Sequence, residues 1–185
     1  MTGYTSISNP IHIDVIGTPL WPGRLGLTIA PGKVGSMFGK THQRDLNADL
    51  KALRAQGADS IVNLMEDDEQ ARWRMHGYDD AAEAAGLSVR RYPIPDMNIP
   101  SDPASFRTLV EEVYADLQAG TTVVVHCLGG LGRSGTLAAC VLMRAGMNAD
   151  SAISHVRHYR KGAIEARQPE FIRAYAVYSG GSAHE

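Results

Sequence analysis

Residues 121–137, TTVVVHCLGGLGRSGTL, hold the side chains best placed to do chemistry in this chain. Cys127 directly follows a β-branched run. Glycines occupy 129, 130, 132 and 135, and Arg133 is followed by Ser134. The spacing predicts a strand over 121–126 that is buried on both faces, then a helix over 134–147. Ligands reach an α/β sheet at the carboxyl ends of its strands. The first amides of a helix are unpaired and carry the positive end of its dipole, so this junction attracts an anion. Gly129, Gly130 and Gly132 allow the amides of Leu128, Gly129, Gly130, Leu131, Gly132 and Arg133 to curl inward as a nest. Arg133 can add two parallel N–H bonds to a phosphate. The same positive groups favour Cys127 as a thiolate nucleophile. A nucleophile beneath a bound phosphate means phosphoryl transfer to sulfur.

Two nucleotide motifs share these letters and fit less well. Residues 130–135 spell the dinucleotide fingerprint G-x-G-x-x-G, but no confident strand follows to carry its acidic partner, and Asp150 lies in helical sequence. The nucleotide P-loop would need a lysine before its hydroxyl residue, and here Gly135 runs straight into Thr136.

The elements that must position the segment follow from periodicity and turn residues. Short strands are expected at 11–16, 25–30, 60–65 and 87–94, and helices at 44–56, 105–119, 149–160 and 169–178. Helical pattern also runs from 66 to 85 with a break at Gly77, and the acidic run 66–69 reads as a solvated helix start. Strands alternating with helices predict an α/β sheet covered on both faces.

A chain of 185 residues with 44% hydrophobic content can bury a core as one domain. Eighteen basic and 20 acidic residues argue against a nucleic-acid partner. No apolar run approaches the ~20 residues that span a bilayer, and no leader or lipidation motif is read, so no membrane partner is expected. Two cysteines exclude a disulfide scaffold and suit a reducing, cytoplasmic setting. Cys140 is expected to be a buried structural thiol, too far along the helix to bridge to Cys127.

His126-Cys127-Leu128-Gly129-Gly130-Leu131-Gly132-Arg133-Ser134 resembles the H-C-x5-R-[ST] signature of the protein tyrosine phosphatase superfamily. The resemblance implies a three-layer sandwich, with a central, mostly parallel twisted sheet of about five strands flanked by helices. It implies one phosphatase domain over 1–185, with its core at about 25–178. By the same resemblance Cys127 is the nucleophile and Arg133 with the loop amides binds phosphate. Ser134 meets the departing sulfur, and His126 sits behind the cysteine. No metal or cofactor is implied. The family's general acid is an aspartate on a loop upstream, which fits Asp96, 31 positions before Cys127 and spelled within YPIPD. Asp102 in the same loop is the competitor. Residues 160–168, RKGAIEARQ, look like the late loop of dual-specificity phosphatases, nearest to the kinase-associated phosphatase (cyclin-dependent kinase inhibitor 3) group and its bacterial relatives. That places Gln168 at the active-site mouth. The resemblance implies a monomeric hydrolase of phosphotyrosine and/or phosphoserine/phosphothreonine in proteins. The alternatives are a phosphatase for a small-molecule or sugar phosphate and a catalytically weak phosphate-binding module. Leu128 and Leu131 stand where inositol-lipid members carry lysines.

Overall fold

A strand of Thr, three valines and His cannot face water on either side, so the chain must cover it twice. The structure, a computed structural model, describes residues 3–179. The outermost residues of the expected 1–185 domain lie outside the described residues. In chain order the elements are β1 (Tyr4–Thr5), β2 (Asp14–Val15), β3 (Arg24–Thr28), β4 (Val34–Met37), β5 (Lys40–Gln43), α1 (Leu46–Ala55) and β6 (Ser60–Asn63). Then come α2 (Asp67–Arg72), α3 (Tyr78–Ala84), β7 (Ser88–Arg91), α4 (Pro103–Gln118), β8 (Thr122–His126), α5 (Gly132–Arg144), α6 (Ala149–Tyr159) and α7 (Gln168–Ser179).

The main sheet has the order β2-β3-β8-β6-β7. β8 lies parallel to both neighbours, with His126 level with Thr28 on one side and Asn63 on the other. Edge strand β2 is antiparallel to β3. Alternation along β8 divides the core between two faces. Val123 and Val125 pack with Phe106, Val110 and Leu137. Val124 packs with Leu50, Leu53 and Ala82. Helices α1 and α3 belong to the second face and α4 to α7 to the first, so the predicted three layers are present. In α5 every residue from Arg133 to Leu142 is buried. Such a helix is hydrophobic on all sides because it lies inside the layer of α4, α6 and α7.

Local chemistry moves several boundaries. The helix expected from 105 starts at Pro103, because Asp102 caps it by accepting from Ala104 N and proline suits the first turn. The helix expected from 44 starts at Leu46, capped by Asp45. The helical pattern over 66–85 divides at the expected place, where Gly77 takes φ +70°. Strand 11–16 shortens to two residues, and α5 begins two positions early, at Gly132.

A second sheet, β1-β5-β4, was not expected from sequence. Its β4–β5 hairpin turns through Phe38 and Gly39, at φ 51° and 74°. Two left-handed residues are the geometry of a tight hairpin turn, but Phe is an unusual choice for the first. The flanking VGSM and KTHQ carry almost no apolar alternation.

Phe106 is fully buried in α4, between the rings of Tyr92, Phe171 and Tyr175. It therefore ties the segment after β7 to the helical layer. Phe106→Ala is expected to cost about 3–5 kcal/mol of folding free energy, read by urea denaturation. A loss below about 1 kcal/mol would show that this ring cluster does not anchor the segment.

Candidate active site

β8 delivers His126 and Cys127 to the carboxyl edge of the sheet, and α5 begins just beyond. Between them, each carbonyl from 127 to 131 is satisfied by a donor of the surrounding protein. Cys127 O accepts from His126 Nδ1 at 2.9 Å. Leu128 O accepts from Ala30 N at 3.1 Å and also from Lys33, while Arg160 serves Gly129 and Gly130. Leu131 O accepts from Ile164 N at 3.2 Å and Gly135 N at 3.0 Å. The amides of 128–133 have no protein acceptor among the described residues. Satisfied carbonyls outside and free amides inside make the predicted anion cradle. Gly130 is indispensable to it: φ is +66°, and a Cβ would lie 2.0 Å from Thr28 O.

His126 is fully buried, and burial pushes its imidazole down to about 4. It is neutral at physiological pH. Because a carbonyl only accepts, Nδ1 carries the proton to Cys127 O, and Nε2 accepts from Tyr78 Oη at 2.7 Å. Burial raises the Tyr78 phenol well above its ordinary range, so its hydroxyl remains a donor. His126 thus lies between Tyr78 and the Cys127 carbonyl. Cys127 is 3% exposed, at the floor of the cleft. Ser134 Oγ is buried without a hydrogen-bond partner among the described residues. Cys140 is a free, fully buried thiol inside α5, pushed up by burial.

Arg133 is nearly inaccessible, and sequence reasoning missed what holds it. Its Nη1 and Nη2 each donate at 2.7 Å to the two oxygens of Glu69. Nη1 also donates to Ile94 O, and Nη2 to Asp96 Oδ1, both at 2.9 Å. Burial opposes the charge, but the Glu69 fork, with Cys127 and Asp96 nearby, holds the guanidinium above its ordinary range. The reading of 66–69 as a solvated helix start is therefore corrected. Asp67 and Asp68 are exposed, but Glu69 is 2% exposed. The available signal was a question of charge: an arginine at the start of a buried helix needs a carboxylate. Nothing local to Arg133 names one 64 positions away.

The acid loop is anchored before it reaches the site. Tyr92 N and Ile94 N donate to Asn63 O and Leu64 O, both at 3.0 Å, and Ile94 is buried. The chain then turns through Met97 at φ +60°. This places Asp96 on Arg133 with its side chain half exposed. Asp102 instead caps α4 by accepting from Ala104 N. Gln168 does line the mouth. It is buried rather than open, donating to Asn98 O at 3.2 Å and accepting from Glu165 N at 2.8 Å. The cleft of about 340 Å³ is bounded by Asp96, Cys127, Arg133 and Gln168, with Met37, Phe38, Met97 and Leu131 as its apolar walls. The hairpin that sequence missed therefore supplies one wall. The described residues contain no cluster of three His, Cys, Asp or Glu that could hold a metal ion.

Glu69→Gln removes the charge but keeps a hydrogen-bond acceptor. We expect kcat/KM on an aryl phosphate to fall by roughly 10²-fold, because Arg133 loses its alignment. Wild-type turnover in this variant would return the acidic run to the surface role read from sequence.

The comparisons with known proteins agree with this geometry. The family described as "Polymorphic toxin system, DSP-PTPase phosphatase" matches residues 36–147. Cyclin-dependent kinase inhibitor 3 of Sus scrofa is 32% identical over 144 residues, spanning 76% of this chain and 66% of that protein. Protein tyrosine phosphatase type IVA 3 of Bos taurus is 30% identical over 133 residues, spanning 70% and 71% of the respective chains. The chain thus spans about two thirds of the length of these relatives. A crystal structure of kinase-associated phosphatase with its catalytic-site cysteine changed to serine superposes with a TM-score of 0.82. It is 27% identical and covers 96% of this chain and 99% of its own. A signature cysteine in an amide cradle, a locked arginine and a fold shared with these proteins have one reading: the chain belongs to the compact dual-specificity phosphatases of the protein tyrosine phosphatase superfamily, which are cysteine-dependent hydrolases.

Proposed function

We propose that the protein hydrolyses phosphotyrosine and phosphoserine/phosphothreonine monoesters in proteins through a cysteinyl-phosphate at Cys127. One observation carries the reading: Cys127 lies at the floor of a cradle of unpaired amides, and Arg133 holds Asp96 over the same space. The phosphoryl group lies in the cradle with its equatorial oxygens on the amides of 128–133 and on Arg133. All four Nη hydrogens of Arg133 are engaged in this structure, one of them by Asp96. Phosphate entry takes Nε and the Nη2 hydrogen that Asp96 holds, freeing the carboxyl to turn toward the ester oxygen.

In the first step the Cys127 sulfur lone pair forms the S–P bond. The P–O bond breaks, its electron pair stays on the leaving oxygen, and Asp96 supplies the proton. In the second step Asp96 takes a proton from water as its oxygen attacks phosphorus. The S–P electrons return to sulfur, toward which the unpartnered Ser134 hydroxyl can donate. The Arg133 charge and the amides stabilise both transition states without moving.

The walls of the cleft support a protein substrate. Met37, Phe38, Met97 and Leu131 offer apolar surface to an aryl or peptide flank. A highly charged sugar or inositol phosphate would instead call for cations there. The name of the type IVA relative, a protein tyrosine phosphatase, points the same way. No described helix is long and apolar enough to cross a membrane. With two free buried cysteines, we place the protein in the reducing cytoplasm.

Cys127→Ser is expected to abolish turnover of an aryl phosphate while leaving oxyanion binding in place. Near wild-type turnover in that variant would reject the covalent route. Asp96→Asn should lose roughly 10²–10⁴-fold on phosphoserine peptides, whose leaving group needs a proton, and much less on an activated aryl phosphate. Equal losses on both would remove the acid role from Asp96.

A further inference from the structure

The phosphate loop leans on two cations that never face the bound anion. Lys33, just before β4, is 3% exposed, and its Nζ donates to Leu128 O at 3.2 Å. Arg160, just after α6, donates from Nη2 to Gly129 O at 2.9 Å and from Nε to Gly130 O at 3.1 Å. In a trans peptide the C=O and the following N–H point in opposite directions. A cation that fixes the carbonyl of Leu128, Gly129 or Gly130 therefore fixes the amide of Gly129, Gly130 or Leu131, aimed the other way. The three middle donors of the cradle are thus oriented from behind. Each cation has its own anchor: the Trp73 ring lies 5.8 Å from Lys33 Nζ, and Asp14 pairs with Arg160.

We propose that Lys33 and Arg160 are positioning residues that set the affinity of the loop for the phosphoryl anion, orienting its central amides and adding positive charge behind them. The proposal rests on the phosphatase reading of the loop. The two cations differ in one respect. Asp14 balances Arg160, whereas Lys33 has no carboxylate partner among the described residues. Lys33 faces Arg44 and Lys40 of the hairpin side, His42 on β5, Arg160, His126 and the Cys127 sulfur. Arg44 is paired with Asp49 at 2.7 Å but still acts on Lys33, while His42 and His126 are both held down at about 4 and carry no charge at neutral pH. Burial and the neighbouring Arg44 push the Lys33 ammonium down to about 8, with Cys127 pulling the other way. Anion affinity should therefore be full below about 8 and should fall as pH rises above it.

The test is calorimetric binding of tungstate, kept dilute and above about pH 7 so that the monomeric dianion is the species that binds. It is made on the full chain in a Cys127→Ser background, which removes the competing thiol. Parent, Lys33→Met, Lys33→Arg and Arg160→Met are compared from about pH 7 to about pH 9.5. We expect Lys33→Met to bind roughly tenfold more weakly at neutral pH and to lose the high-pH decline. Lys33→Arg should restore affinity and hold it to the top of the range. Arg160→Met should weaken binding and keep a high-pH decline, moved to higher pH because Arg160 no longer depresses the Lys33 ammonium. A folded Lys33→Met that binds within about twofold of the parent would overturn the proposal, since a lost charged hydrogen bond should show more. So would a parent curve that stays flat to the highest pH, a result that needs no variant to fold. Turnover of an aryl phosphate by the wild type is measured separately. Turnover with a flat tungstate curve rejects the role of Lys33 alone, and the expected curve without turnover rejects the phosphatase reading alone.

Discussion

A guanidinium with almost no access to water cannot stand without a carboxylate, and the Arg133–Glu69 fork is the interaction on which this site depends. It joins the first turn of α5 to α2. With both Nη groups committed to Glu69, the guanidinium plane is fixed before any ligand arrives. The same plane then presents one hydrogen to Ile94 O and one to Asp96, so the arginine holds the end of a loop that its backbone bonds to Asn63 and Leu64 have already brought there. Breaking such a pair from one side would leave a buried charge uncompensated, at about 3–5 kcal/mol. Nucleophile loop, acid loop and α2 are in this sense one unit.

The phosphate loop shows the same economy in its backbone. A run of amides can point at an anion only if the carbonyls between them find partners elsewhere. Those partners come from His126, Ala30, Lys33, Arg160, Ile164 and the first turn of α5 itself. They belong to segments spread over most of the chain. The cradle is therefore a product of the whole fold rather than of its glycines alone. The glycines supply permission: Gly130 reaches φ +66° beside Thr28 O, where no side chain could sit.

The sequence made the strand–loop–helix legible because its signals are local. A β-branched run, a glycine-rich turn and an apolar helix in register place Cys127, Arg133 and Ser134 almost without tertiary information. Asp96 was singled out through the resemblance, and the structure sets it on Arg133 while Asp102 caps α4. Glu69, Lys33 and Arg160 were not legible in these roles. Each acts on the loop across a distance in sequence that no periodicity records, and each looks like an ordinary surface charge. The β4–β5 hairpin was hidden for another reason. Its strands are short and polar, and its turn uses Phe38 where Asn or Asp is the usual sign. Gln168 lines the cleft, but its bonds to Asn98 and Glu165 depend on two loops whose course the sequence does not reveal.

The most direct test of the account is to trap the covalent intermediate. Wild-type protein mixed with excess aryl phosphate is quenched in acid within a turnover, digested, and analysed by mass spectrometry. The account predicts one added phosphoryl group on the peptide that carries Cys127, at close to one per chain, and none on the peptide that carries Cys140. Sustained turnover with no phosphoryl group on Cys127 at any quench time, or with the group on another residue, would contradict it.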